Sequence, residues 1–160
     1  GYNGSTTIDI AKRAKISEVT LFRYFDSKKQ IFIQAIEPIL VSSLEKSIVA
    51  SKDLGAPEKL KYILKDRIRF ISEYCEVIKL ILMESQINPE IAGFDFINRI
   101  TSLLHDSIKD AGIDLKDSRF SLRLLMGSVL SFLYLSGVNN DEIENYVENL
   151  IDIMTKNNRL

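Results

Sequence analysis

Residues 6–30 read TTIDIAKRAKISEVTLFRYFDSKKQ, and three polar starts within this stretch decide the fold. Thr6 with Asp9, Ser17 with Thr20 and Ser27 with Gln30 each match or approximate a capping box. In such a box a hydroxyl accepts a hydrogen bond from a free N–H of the first helical turn, so each site starts a helix at little cost. Their spacing predicts two short helices, about Thr7 to Ala14 and about Glu18 to Tyr24, and a third that runs from Lys28 well past Ile36. Pro38 falls inside the third, where the missing N–H and the ring predict a kink. Two short helices joined by a tight turn have the geometry of a helix-turn-helix if their inner faces pack. Ile8, Ile10, Ala11 and Ala14 supply one such face, Ile16 plugs the turn, and Val19 or Leu21, then Phe25, close the far side.

Beyond this head the same 3.6-residue period recurs. Pro57 suits a first turn, and Leu60, Ile63, Leu64, Arg67, Ile68 and Ile71 form an amphipathic row ending near Tyr74. Val77–Glu84 is a short apolar segment, Pro89 opens a helix that stops at Gly112 with Gly93 in its first turns, and Asp117–Ser136 and Asp141–Lys156 make the last two. The final helix carries one stripe: Ile143, Tyr146, Val147, Leu150, Ile151 and Met154. With seven Gly, three Pro and no alternating β pattern, the chain reads all-α. The expected organisation is a helix-turn-helix domain over residues 1–36 and a helical body over residues 37–160.

Composition narrows the function. The single cysteine, Cys75, excludes a disulfide framework and a zinc cluster and suits a reducing compartment, so the cytoplasm is expected. The longest apolar stretch, Leu124–Leu135, is interrupted by Gly127, Ser128 and Ser131 and is shorter than the ~20 residues of a membrane span, so no membrane role is expected. One His, one Cys and no metal-binding helix pair leave no catalytic set, and neither a metal nor a cofactor is expected. Charge is uneven: residues 1–36 carry six basic side chains against three acidic, and the rest fifteen against nineteen. A basic head on an acidic body points to a polyanion at the head.

The runs Thr6–Ala11, Ala14–Ser17, Thr20–Phe25 and Ser27–Lys29, in that order, resemble the TetR family of transcriptional regulators over roughly residues 4 to 36. The rest of the chain matches only in architecture. The resemblance implies a DNA-binding head, a body holding a small-molecule pocket, and dimerisation through the last two helices. Three departures stand out. Lys15 holds the turn position usually given to Gly, Phe22 replaces a common Tyr, and the chain begins near the end of the family's first helix. Phosphate contacts fall to Thr7, Tyr24 and Lys28. Base reading falls to Ser17, Glu18, Thr20 and Arg23. Glu18 can accept from a cytosine amino group, Arg23 can pair with guanine or a phosphate, and Thr20 can touch a thymine methyl.

In the body, Phe120–Leu135 is apolar nearly all round, which predicts burial on more than one side. Phe120, Leu124, Gly127, Ser128 and Ser131 with Tyr146, Val147 and Leu150 are the expected homodimer interface, a four-helix contact that spaces two heads for a palindromic operator on double-stranded DNA. Aromatic and Met side chains suit an adaptable apolar pocket for a small-molecule effector. The candidates are Tyr62, Phe70, Tyr74, Met83, Phe96, His105 and Met126, with Phe94 and Tyr134 on the same helices. His105 reads first as a partly exposed helix residue, then as a satisfied core group or a polar pocket contact, and Cys75 as a small buried hydrophobe. The reading reached is a cytoplasmic, homodimeric repressor released from DNA by an apolar or aromatic effector. Its alternative is a dimer of the same fold controlled by a protein partner or lacking specific DNA binding.

Overall fold

The computed structural model describes residues 2–88, 91, 96–110, 118–135 and 137–156. Helices are the only regular secondary structure among the described residues, and none of them is long and apolar enough to cross a membrane. The head comprises α1 (Thr7–Arg13), α2 (Glu18–Tyr24) and α3 (Lys28–Glu37). A π-helical turn, Pro38–Ser42, leads into α4 (Ser43–Ala50), α5 (Ala56–Glu73), α6 (Cys75–Ile87), α7 (Phe96–Asp110) and α8 (Ser118–Leu130). After a 3₁₀ turn at Ser131–Leu133 comes α9 (Asn140–Lys156). The expected helix limits at Pro89, Gly93, Gly112, Asp117 and Ser136 lie outside the described residues, as does Phe94.

Each head helix starts where its cap dictates. Thr6 Oγ1 accepts from the Asp9 amide at 3.1 Å while the Asp9 carboxylate accepts from the Thr6 amide, a complete capping box. Ser17 and Ser27 accept from the amides of Thr20 and Gln30. Between α1 and α2, Lys15 stands at φ 59°, in the left-handed region that favours glycine, so the turn keeps its backbone geometry without the usual residue. At Pro38 the expected kink takes the form of the π-helical turn, with ordinary helical dihedrals at Pro38 and Ser43. A proline lacks the N–H for an α-helical bond and crowds the carbonyl four residues back, and a widened turn accommodates both.

The inner face of the helix-turn-helix is narrower than its apolar content suggests. Ala11 and Leu21 are buried and Ile10 and Phe25 half-buried, whereas Ile8, Ala14, Ile16 and Val19 are exposed. Residues two apart on a helix point about 160–200° away from each other, so only one of Val19 and Leu21 faces inward, and it is Leu21. In the body the α5 row is buried throughout, from Leu60 to Ile71 and including Arg67. The α9 stripe packs with it: Ile143, Val147, Leu150, Ile151 and Met154 join Leu60, Ile63, Leu64 and Ile68 in one core. The apolar segment expected at Val77–Glu84 is part of the longer α6, which buries Ile78, Ile81 and Glu84. A second cluster, Ile36, Val41, Ile81 and Phe96, joins α3 to the body.

Candidate nucleic-acid interface and ligand cavity

The side chains expected to meet DNA divide into two groups. Thr7 Oγ1 donates to Glu18 Oε1 at 2.5 Å across the two helices, so the pair braces α1 against α2 and the carboxylate is already engaged. Ser17 is occupied as the cap of α2, and its hydroxyl lies 2.8 Å from Thr20 Oγ1, which leaves the Thr20 methyl as its unengaged part. Arg23 and Tyr24, by contrast, are exposed and stacked, the guanidinium carbon 5.3 Å from the ring centre. Val19, 82% exposed, and the outward Phe22 stand on the same helix with them. The sequence reading left open whether Val19 or Leu21 closes the core, and the buried one is Leu21. The helical angle between positions 19 and 21 was the signal that one of the two had to face out.

Around this surface the charge is positive, since Lys12, Arg13, Lys15 and Arg23 are all exposed. Asp9 offsets part of it, and the Thr6 hydroxyl and amide hold its carboxyl below the usual carboxylate range, with Arg13 adding to the effect. Lys28 sits apart. It is half-buried, with Nζ 4.4 Å from the centre of the Tyr2 ring, which in turn meets Phe32 edge-on at 5.4 Å. These contacts place Lys28 at the seam between head and body. At that seam the Tyr2 amide donates to Glu84 Oε1 at 2.7 Å, and Asn88 Nδ2 donates to the other oxygen of the same buried carboxylate.

The body holds an apolar cavity of about 160 Å³. Leu40 and Leu44 form one wall, Arg67, Phe70 and Ile71 of α5 a second, and Ile78, Ile81 and Leu82 of α6 a third. Phe96, Ile97, Ile100 and Leu104 of α7 and Met126, Val129 and Leu130 of α8 close it. Of the residues expected to bind a ligand, Phe70, Phe96 and Met126 meet here. Tyr62, Tyr74 and Met83 are exposed instead, as is Tyr134: Tyr62 and Met83 lie off the inward stripes of α5 and α6, and Tyr74 and Tyr134 stand in turns beyond helix ends. Tyr74 still touches Phe70, ring centres 4.9 Å apart. His105 is half-buried on α7 beside Asp106, away from the cavity. Cys75 is half-buried, its thiol donating to Glu76. Sequence reasoning passed over most of the lining, including Arg67, although a lone charge inside the α5 apolar row was visible.

The expected dimer residues also separate. Phe120 and Gly127 are exposed on α8, Leu124, Ser128 and Ser131 are half-buried, and a methyl group added at Gly127 would meet nothing within 4 Å. Tyr146 packs edge-on against Phe132 and donates to the Ser128 carbonyl. Val147 and Leu150 correct the sequence reading. They are spent within the protomer core, at 0% and 5% exposure, and a side chain with no surface left has none to bury against a partner.

Comparison with known proteins adds two findings. Residues 1–35 match the family model of bacterial regulatory proteins of the tetR family. The whole fold is similar to that of a Clostridium perfringens protein described as a "putative fatty acid metabolism regulator", with a TM-score of 0.74 and 23% identity over 98% of this chain and 90% of that one. Among curated protein sequences nothing matches. The capped helix pair at the head carries the match to bacterial regulatory proteins of the tetR family, and with the helical body behind it the chain has the fold of that solved structure.

Proposed function

We propose that the protein is a homodimeric repressor that releases a palindromic operator when a small apolar effector enters the body. One observation carries the reading: α6 belongs to both sites. Its Ile78, Ile81 and Leu82 wall the cavity, and one turn further on its Glu84 holds the Tyr2 amide of the head. A ligand that displaces α6 therefore acts on the head through a buried, charge-assisted hydrogen bond. The π-helical turn offers a parallel route, since Leu40 lines the cavity two residues after Pro38. Ligand and DNA affinities are then reciprocally linked.

At the DNA, Arg23 and Tyr24 contact phosphates or a guanine edge, Val19, Phe22 and the Thr20 methyl meet thymine methyls, and the Thr7–Glu18 and Ser17 pairs hold the helices in register. Lys28 acts at the seam and adds charge without leading the contact. Two copies pair through the exposed Phe120 and Gly127 and the half-buried Leu124 of α8 with Ser131 just beyond it, Ser128 and Tyr146 standing at the border. Two recognition helices about one DNA turn apart, ~34 Å, then read two half-sites together.

Selection of duplexes from a randomised library, followed by fluorescence anisotropy across a salt series, tests this. The expected result is a two-fold symmetric consensus whose binding weakens with salt. Glu84→Gln is expected to keep DNA binding and reduce its response to ligand. Failure to enrich any sequence would favour a partner-controlled dimer of the same fold, and an unchanged ligand response in Glu84→Gln would remove the α6 route.

A further inference from the structure

Resting on the cavity as an effector site, we infer that its ligand is an uncharged molecule with an apolar body of about one aromatic ring and a single carbonyl-type oxygen, which accepts a hydrogen bond from Arg67 Nε. Arg67 is the one polar residue in the described wall, and it is 9% exposed. Its Nη1 donates to Ser43 Oγ at 2.8 Å, its Nη2 donates to the Ser43 carbonyl at 3.3 Å and pairs with Asp66, and the guanidinium lies over Phe70 at 4.8 Å. Nε remains buried and without a partner among the described residues. Arginine stays protonated in proteins, so this donor cannot be silenced by losing its proton. A buried donor without an acceptor is costly, and an oxygen brought in by a ligand removes that cost.

The surroundings set the rest of the ligand's chemistry. Asp66 already balances the guanidinium, so a ligand carboxylate would add an excess negative charge between Leu, Ile, Phe, Met and Val side chains, where a charge is poorly solvated. Among the described residues no second polar wall group stands ready to satisfy a second ligand polar group, which disfavours sugars, nucleotides and polyols. The volume of about 160 Å³ is close to the ~150 Å³ apolar cavity known to accept benzene.

Calorimetric titration of the wild-type protein with acetophenone, ethylbenzene and benzoate separates these features without any variant. Acetophenone should bind about tenfold more tightly than ethylbenzene, which has a similar shape and no oxygen, and benzoate should bind at least about tenfold more weakly than acetophenone. Arg67→Met should bring acetophenone and ethylbenzene to within about twofold of each other. Equal binding of acetophenone and ethylbenzene to the wild type would overturn the Arg67 contact. Tightest binding by benzoate would overturn the uncharged class, and no binding by any of the three would overturn the cavity as a site for such molecules. The titration contains no DNA. Binding in the expected order without operator release would leave the inference standing and sink the coupling proposed above.

Discussion

The head and the body of this protein are held by interactions of different reach. In the head the shaping side-chain bonds are short in reach: the caps join residues three apart, Thr6 with Asp9, Ser17 with Thr20 and Ser27 with Gln30, and the Thr7–Glu18 brace joins residues eleven apart, around a small core of Ala11 and Leu21. In the body, Lys65 and Arg69 of α5 reach Glu144 of α9, 79 and 75 residues away, over side chains such as Leu60, Ile63, Leu64 and Ile68 that retain no exposed surface. The head thus leaves Ile8, Val19 and Phe22 at its surface around a small core, while the body, although Met83, Ile87 and Phe120 also stand outside, closes a continuous apolar core. A reading head has to keep side chains outside, and local caps supply order where a deep core cannot.

The sharpest way to break this contrast is to cut one large side chain from the body. Leu64→Ala should lower stability by about 3 kcal/mol in urea unfolding, as expected for a fully buried leucine. A loss below ~1 kcal/mol would mean that the body core is far looser than its burial indicates. Next comes the exposed surface of α2. Arg23→Ala should weaken operator binding by about tenfold and flatten the salt dependence by about one unit while leaving stability within ~0.5 kcal/mol.

Thr6→Ala removes the capping box and should cost about 1 kcal/mol. Hydrogen exchange should localise that loss to Thr7–Arg13 and spare α5. Equal acceleration in both would show that head and body unfold as one unit. Lys15→Gly should act in the opposite direction, adding about 0.5 kcal/mol of stability by relieving the left-handed backbone, an effect partly offset by the greater freedom of glycine in the unfolded chain.

The smallest effect concerns acid. Asp9 is held below the usual carboxylate range by Thr6, and Glu144 by its hydrogen bond with Lys65 and by Arg69. A depressed folded-state value contributes stability that is fully present above the ordinary carboxylate range and is lost as pH falls through the lowered one. Glu144→Gln should therefore flatten the acid limb of a Tm-against-pH curve, and an unchanged limb would show the pair to be energetically silent.

Legibility followed the same division. The α2 limits, the three caps and the buried α5 row could all be read from spacing, because a helix start depends on four consecutive residues and a buried face on a fixed angle, whereas the Lys15 turn was flagged by the family resemblance. Spacing did not distinguish Val19 from Leu21, nor assign Val147 and Leu150 to the protomer core in place of a partner. Those outcomes depend on which neighbouring helix arrives at the stripe. Tyr62, Tyr74, Met83 and His105 were plausible pocket residues by chemistry and lie elsewhere, since a cavity wall is selected by orientation across five segments.

Helix content, the helix-turn-helix and its family resemblance were therefore set by short-range order along the chain, where caps, periodicity and motif spacing act within a few residues. Tertiary packing alone decided that Arg67 would lie in the cavity wall with Nε unpaired, that Glu84 would hold the Tyr2 amide, and that Val19 would face out. Each of these depends on groups brought together from distant positions or on which face a neighbour covers. A local pattern states that a face will be buried, and only the assembled helices determine what it is buried against.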